Sequence, residues 1–439
     1  MADALTCKLA HLHRRAGFGA RPDELATAAA AGYEATVERL LDRTVPDPAA
    51  DALVPPTVTP VLVSTVETLE ERKARTAQRA ENRRLITTWW LERMIAAQSP
   101  LREKLVWFWH THFATSIEKV REAQPMLAQN QLFRTLGAGN FETLAQAVAK
   151  DGAMMIWLDS NQNRKGAPNE NFARELMELF TIGIGNYADL DVREAARAFT
   201  GWRTDRIDGV FHLQPNQGDA APKTVLGQVL NTGEQVVTLL ARHPAAARFV
   251  AAKIWSRFAW PVRPDDPIVS DISASFANDG DVTGLVRRVL LHPLFDSPTA
   301  RQGLVKEPVE YVVGTLRSLN MSASSLDLAS PTAMRALQQL GQVPFEPPSV
   351  GGWPQNGYFV STATSLARLR FANTVANTAS PTQLGWLTGS AAAQRPDAIA
   401  RQLAIDGFTP ATIAALNSPS LNPKQQLAIA LVSPEYVLN

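Results

Sequence analysis

The sequence predicts an all-α protein, a multi-helix orthogonal assembly with at most one small β-hairpin near residues 209–228. Three observations carry this. Apolar residues recur at three- and four-residue spacing in nearly every stretch between glycines and prolines. Prolines fall at first helical positions and glycines at helix ends, where each costs the backbone least. Strand-like patterning is confined to Val210–Leu213 and Lys223–Gly227, two short runs bracketed by Pro, Asn, Gln and Gly. The 439 residues show no fixed-period repeat and read as one helical domain over 1–439. Within it, 45–84 is a loop followed by an exposed charged helix, and 203–230 is a loop and hairpin insertion.

Composition excludes several function classes. With 45% apolar residues and a net charge of +1, the chain buries a core without cross-links and gives no electrostatic footprint for nucleic acid. The basic residues of Arg72–Arg84 are interrupted by Glu81, which reads as a solvated face. The single cysteine, Cys7, excludes intramolecular disulfides and thiolate zinc sites. No run reaches the ~20 apolar residues of a membrane span. The segment Met1–Arg15 has no uninterrupted apolar stretch of the secretory kind. The expectation is a cytoplasmic protein, with a removed leader or export alongside a partner as the alternatives.

In chain order, residues 8–44 read as helices around a turn at Gly17 and Gly19, the second starting at Arg21–Leu25. Residues 45–61 are proline-rich loop. Glu67–Arg84 is helix-prone but lacks an apolar stripe, and is expected to be exposed. Ile86, Trp90, Met94 and Ala97 then form one buried stripe. Ser99 is expected to cap the next helix, with Pro100 at its first position. That helix is apolar nearly all round and so central: Leu101, Leu105, Phe108 and His112 make its stripe, with Trp107, Trp109 and Phe113 around it. His110 and His112, two residues apart, project to opposite sides of a helix and do not pair on a metal unless the helix ends near Trp109. Met126–Ala149 gives a helix pair broken at Gly137–Asn140. The polar loop Asp159–Asn169 follows, then the helix Asn169–Tyr187, then a helix capped by Asp189 or Asp191 with Val192, Ala195, Ala196 and Phe199 inward. Helices resume at Val236. Pro344–Gly357 is a Pro- and Gly-rich loop that either packs under the core or forms a lid.

The helix Asn169–Tyr187 separates its faces most cleanly. At about 100° per residue, Phe172, Ala173, Met177, Leu176, Leu179 and Phe180 fall on one arc, and Asn171, Arg174, Glu175, Glu178 and Thr181 on the other. Asn169 or Asn171 caps its start; Gly183 and Gly185 end it. Two readings of the polar arc stand side by side. One is a surface helix with an Arg174–Glu178 pair. The other is a site: Glu175 and Glu178 as acid beside base, Arg174 and Arg197 holding an anionic group, His112 as a further proton carrier, and Asn171, Trp202 and Trp353 contacting substrate. The polar loop at 159–169 leads straight into this helix and favours the site.

Several strings, in order along almost the whole chain, resemble the bacterial family catalogued as domain of unknown function 1800. They are His13–Gly19, Trp109–Thr115, Asn169–Phe180, Asp191–Trp202, Lys306–Glu310 and Pro347–Pro354. The family has no established activity to carry over. Its members are often exported, and many have a His-Asp pair before the Lys-Thr of the hairpin region, where this chain has Gly218 and Asp219. The resemblance also implies a partner, a sulfatase-like protein of the family catalogued as domain of unknown function 1501, often encoded alongside.

Two function classes follow. One is an enzyme with a Glu/Arg/His polar pocket on the 169–181 helix, working by acid–base or metal-assisted hydrolysis; its cofactor is unknown and a divalent metal is compatible with it. The other is a non-catalytic helical scaffold or partner of the sulfatase-like protein, with Glu175, Glu178, Arg174 and Arg197 in a buried ion network. No P-loop, dinucleotide fingerprint, nucleophile elbow or His-Glu-x-x-His occurs.

Overall fold

Helix follows helix from Ala4 to Val437 in the computed structural model, which describes residues 3–61, 66–327 and 332–439. Part of the expected 45–84 segment, residues 62–65, lies outside the described residues. The Pro100–His112 helix runs through the interior. Trp107 and Trp109 are wholly buried, and even Glu103 and Lys104 are shut from solvent. An apolar surface on every side leaves such a helix no stable place except the core. Around it pack the helices Leu69–Ala96 and Ala123–Leu136. Trp90, Trp107, His110, Phe345 and Trp353 form one aromatic cluster beside it.

Pro100 occupies the first helical position as expected, but the Ser99 hydroxyl makes no capping bond. The buried carboxylate of Asp47, delivered by the proline-rich loop, accepts from the N–H groups of Gln98 (2.9 Å) and Ser99 (2.8 Å) instead. A charged acceptor already desolvated there makes the stronger bonds.

The charged segment and the Ile86 stripe are one helix, Leu69–Ala96, started by a reciprocal Thr68–Glu71 capping box. Its first half is tied down more than its sequence suggested. Arg79 pairs with Glu122, Arg83 with Glu346, and buried Asn82 donates to the Thr59 carbonyl.

The strands lie where expected, but as two hairpins. Val210–Leu213 does not pair with Lys223–Gly227. Phe211–Leu213 pairs antiparallel with Trp202–Thr204, and Lys223–Val225 with Gln228–Leu230. Each run meets the segment nearest in sequence, which closes the shorter loop.

The central helix is α-helical over Asn171–Glu175 and then widens into a π-helix over Leu176–Thr181. Phe172, Ala173, Leu176, Met177 and Phe180 are buried, as the arc required. The widened turn shifts the later residues. Leu179, placed on the apolar arc, is only partly buried, and Thr181, placed on the polar arc, is wholly buried. The Thr181 hydroxyl donates to the Leu176 carbonyl (2.5 Å), one of the groups a π-turn frees from the α pattern. Gly183, at φ +79°, ends the helix, and its N–H reaches the Met177 carbonyl at 2.9 Å.

The chain closes on itself at the end. Leu304 and Asn439 exchange backbone hydrogen bonds, and Lys306 N–H donates to the Val437 carbonyl at 2.9 Å.

Candidate functional site

The polar loop is firmly docked. Asn161 exchanges two bonds with the Thr204 backbone (2.8 and 2.9 Å), Asn163 donates to the Ala196 carbonyl (2.9 Å) and accepts from Asn169 N–H (3.0 Å), and Asn169 accepts from Asn171 N–H (2.9 Å). Neither expected residue holds the cap position: Glu170 does, without a side-chain capping bond, and Asn169 stands one residue before it. On the next helix, Ala188 holds the cap position and Asp191 reaches back to its N–H at 2.8 Å.

Asn171 is exposed, and Arg174, Glu175 and Glu178 are each partly exposed. Arg174 does not pair with Glu178. It binds Glu170 at 2.9 Å and Asp189 at 3.2 Å, joining the central helix to the start of the next. Glu178 accepts from the Tyr187 hydroxyl at 2.8 Å. Among the described residues, the Glu175 carboxylate has no hydrogen bond or ion pair. Partial burial and then the neighbouring Glu178 charge push it above its ordinary value. Burial and the bond to Glu178 push Tyr187 up to about 12.

Arg197 belongs to a separate ionic cluster, with Glu194 and Asp219 each at 2.8 Å. The Asp219 N–H also donates to the Thr200 hydroxyl oxygen (2.7 Å), and the Asp219 carbonyl accepts from Lys223. The buried network of Glu175, Glu178, Arg174 and Arg197 expected for a scaffold is thus not formed. Trp202 is buried edge-on between Phe199 and Phe211, too enclosed to meet a substrate.

His112 is buried among Phe108, Trp109, Phe113, Phe180 and Phe249, with Nε2 at 2.9 Å from the Phe180 carbonyl. Burial lowers it to about 3, so it is neutral at pH 7. His110 Nε2 accepts from Phe345 N–H at 3.0 Å, so the two rings serve different neighbours. Trp353 packs on Trp107 and His110 in the core. Among the described residues, no group of three His, Cys, Asp or Glu side chains is placed to hold a metal.

The family described as "Protein of unknown function (DUF1800)" matches residues 11–438. The chain belongs to this family. No curated protein and no solved structure matches it.

Several of the segments that carry the resemblance to DUF1800 meet in space, around a charge centre that periodicity alone did not reveal. Lys104 pairs with Glu310 and donates to the Gly17 carbonyl at 3.1 Å. Arg257 pairs with Glu307 at 2.7 Å and reaches the Thr111 hydroxyl at 3.2 Å. Glu307 also accepts from Gln342 at 2.9 Å. Gly352 lies so close that a Cβ there would stand 2.6 Å from the Thr111 carbonyl oxygen. All four charged side chains are buried. Burial alone would raise Glu310; Lys104 and then Arg257 outweigh it and hold the carboxyl below its ordinary value. A narrow crevice of about 10 Å³, edged by Ser256, Gln355 and Asn356, reaches Arg257, Glu307 and Glu310. The signals present in the sequence were Lys104 inside an otherwise apolar helix and the Glu307–Glu310 spacing.

Proposed function

We propose that this DUF1800 chain is a helical scaffold that docks a partner protein through the face built by residues 170–193. The observation that carries this is the unpaired, partly buried Glu175 together with two exposed apolar side chains in the same stretch of chain, Ile184 and Leu190, which are 76% and 65% exposed. Large apolar groups set among charges on an open surface fit a protein interface better than an enclosed reaction site. Arg193, 67% exposed, lies 3.8 Å from Glu170 and adds a further charge to this stretch. The sulfatase-like protein implied by the family resemblance is the partner to test. Co-purification with it is expected for the parent chain and lost in the Ile184→Asp, Leu190→Asp double variant. An undiminished complex with the variant refutes the docking face, and so does failure of the parent chain to bind.

A second reading rests on Glu175 itself. A carboxyl raised by burial beside Glu178, which is held by Tyr187, is an acid next to a base. In that reading a protonated Glu175 donates to a leaving group while Glu178 accepts. Titration of the labelled Glu175 carboxyl tests it: Glu178→Gln is expected to bring its midpoint down toward the ordinary value, and an unmoved midpoint removes the pairing.

A further inference from the structure

A larger cleft, of about 290 Å³, lies on a different part of the chain and shares no residue with the 170–193 face. It is walled by the helices Pro22–Ala31 and Tyr33–Leu41 and by the start of the Pro100–His112 helix. Several of its charges are already committed. Glu24 accepts from the Arg21 guanidinium at 3.0 Å and from Arg317 at 2.5 Å. Arg21 and Arg317 also donate to the Ile95 carbonyl, at 2.8 and 2.9 Å. Asp47 offsets the remaining positive charge from behind, through the Gln98 and Ser99 amides.

What is left uncommitted is mostly donor. Among the described residues, the Arg39 guanidinium at the rim has no hydrogen bond or ion pair, and neither does the Ser99 hydroxyl. His13, 7% exposed, lines the cleft with both ring nitrogens shut from bulk water and without a partner. A buried imidazole with neither nitrogen satisfied is costly, and nothing in the packing of its own helix requires a polar ring there. The first turn of the 13-residue Pro100–His112 helix adds partial positive charge at the same wall. Asp23 is the one uncommitted acid on the lining, and it is exposed. Of the charges acting on His13, Glu24 acts most strongly, and Arg317 and then Arg39 act against it.

We infer that this cleft binds a small oxyanion, the carboxylate or phosphate of a metabolite, held by Arg39 at the mouth and by Ser99 within, with the His13 ring in the wall beside it. The test uses the full chain and reads its melting temperature at matched ionic strength in chloride, inorganic phosphate or citrate. A saturable rise is expected with at least one of the two oxyanions. A response to phosphate alone identifies a phosphate-bearing ligand, and a response to citrate alone a carboxylate. Arg39→Gln is expected to weaken the apparent affinity tenfold or more; Arg39 is exposed, so folding is untouched. Arg72→Gln, at the exposed first turn of the Leu69–Ala96 helix and at the opposite end from Ile95, is expected to leave it unchanged. The His13 ring nitrogen resonances are expected to move on titration. No rise above chloride for either ion, an equal rise in Arg39→Gln, or unmoved His13 resonances each overturns the inference.

Discussion

Glu310→Gln at the buried charge centre should destabilise the protein by about 3–5 kcal/mol at pH 7, the usual cost of breaking a buried pair by removing one partner. Glutamine keeps the shape of the side chain and still accepts from the Glu307 N–H, which lies 3.1 Å from the native carboxylate. The loss is therefore electrostatic. Lys104, whose side chain is 1% exposed, would retain the Gly17 carbonyl as its acceptor and the weaker attraction of Glu307, with Arg257 nearby as a like charge. The lysine has one escape, which sets a ceiling. It can shed its proton, and doing so at pH 7 from an ordinary value of 10.5 costs about 5 kcal/mol at 1.36 kcal/mol per unit. At pH 9 the same ceiling falls to about 2 kcal/mol. Glu310 itself, held below its ordinary 4.5, contributes its full stabilisation at both pH values and loses it only as pH falls through the folded value. The assay is the urea midpoint by circular dichroism at pH 7 and pH 9, for parent and variant. A loss under about 1 kcal/mol at pH 7, or one that does not shrink at pH 9, refutes the reasoning. Glu178→Gln is the internal contrast. It retains the Tyr187 bond at a partly exposed position and should cost no more than about 0.5 kcal/mol.

Leu176→Ala removes a side chain only 2% exposed and should cost roughly 2–5 kcal/mol by denaturant titration; a loss under about 0.5 kcal/mol would place the apolar arc wrongly. Gly352→Ala combines a φ of +81° with a 2.6 Å approach to the Thr111 carbonyl oxygen, so a loss of about 1–3 kcal/mol or more is expected, and unchanged melting would contradict that contact. Stability should fall steeply between pH 6.5 and 4. Burial depresses His11, His13, His110 and His112, with His13 at about 4 and His110 and His112 at about 3. The unfolded chain binds those protons first, so each histidine removes about 1.4 kcal/mol per pH unit across the window. Asp151, raised by burial to about 7, works in the opposite direction and offsets part of the fall. A flat melting temperature across this range would mean that the rings are not enclosed as described.

The helices were legible because the helical repeat is a local property. A sequence fixes which side chains share a face wherever the pitch stays regular, and Phe172, Leu176 and Phe180 lie inward for that reason. The same argument correctly set His110 and His112 against different neighbours. It failed where the pitch changed: the π-turn that buries Thr181 and lifts Leu179 arises from local competition for carbonyls, which periodicity does not register. It also failed for the partners of charges. Arg174 had Glu178 available at helical spacing, yet it binds Glu170 and Asp189, because only the fold brings Asp189 within reach. Trp353 read as a substrate contact and packs instead on a helix far away in sequence.

Lys104 and Glu310 stand 206 residues apart, and no spacing rule connects them. Each alone looks like a surface charge. Composition and periodicity by themselves determined a helical fold, its apolar faces and the place of two of its strands, Phe211–Leu213 and Lys223–Val225, but not of the strands they pair with. Tertiary structure decided which charges leave water together, which histidines are left without partners, and which polar side chains stay exposed. The physical reason is range. Backbone pitch is set by neighbours a few residues away, whereas desolvation depends on everything the fold packs around a group, and the cost of burying a charge selects its partner only after distant helices have met.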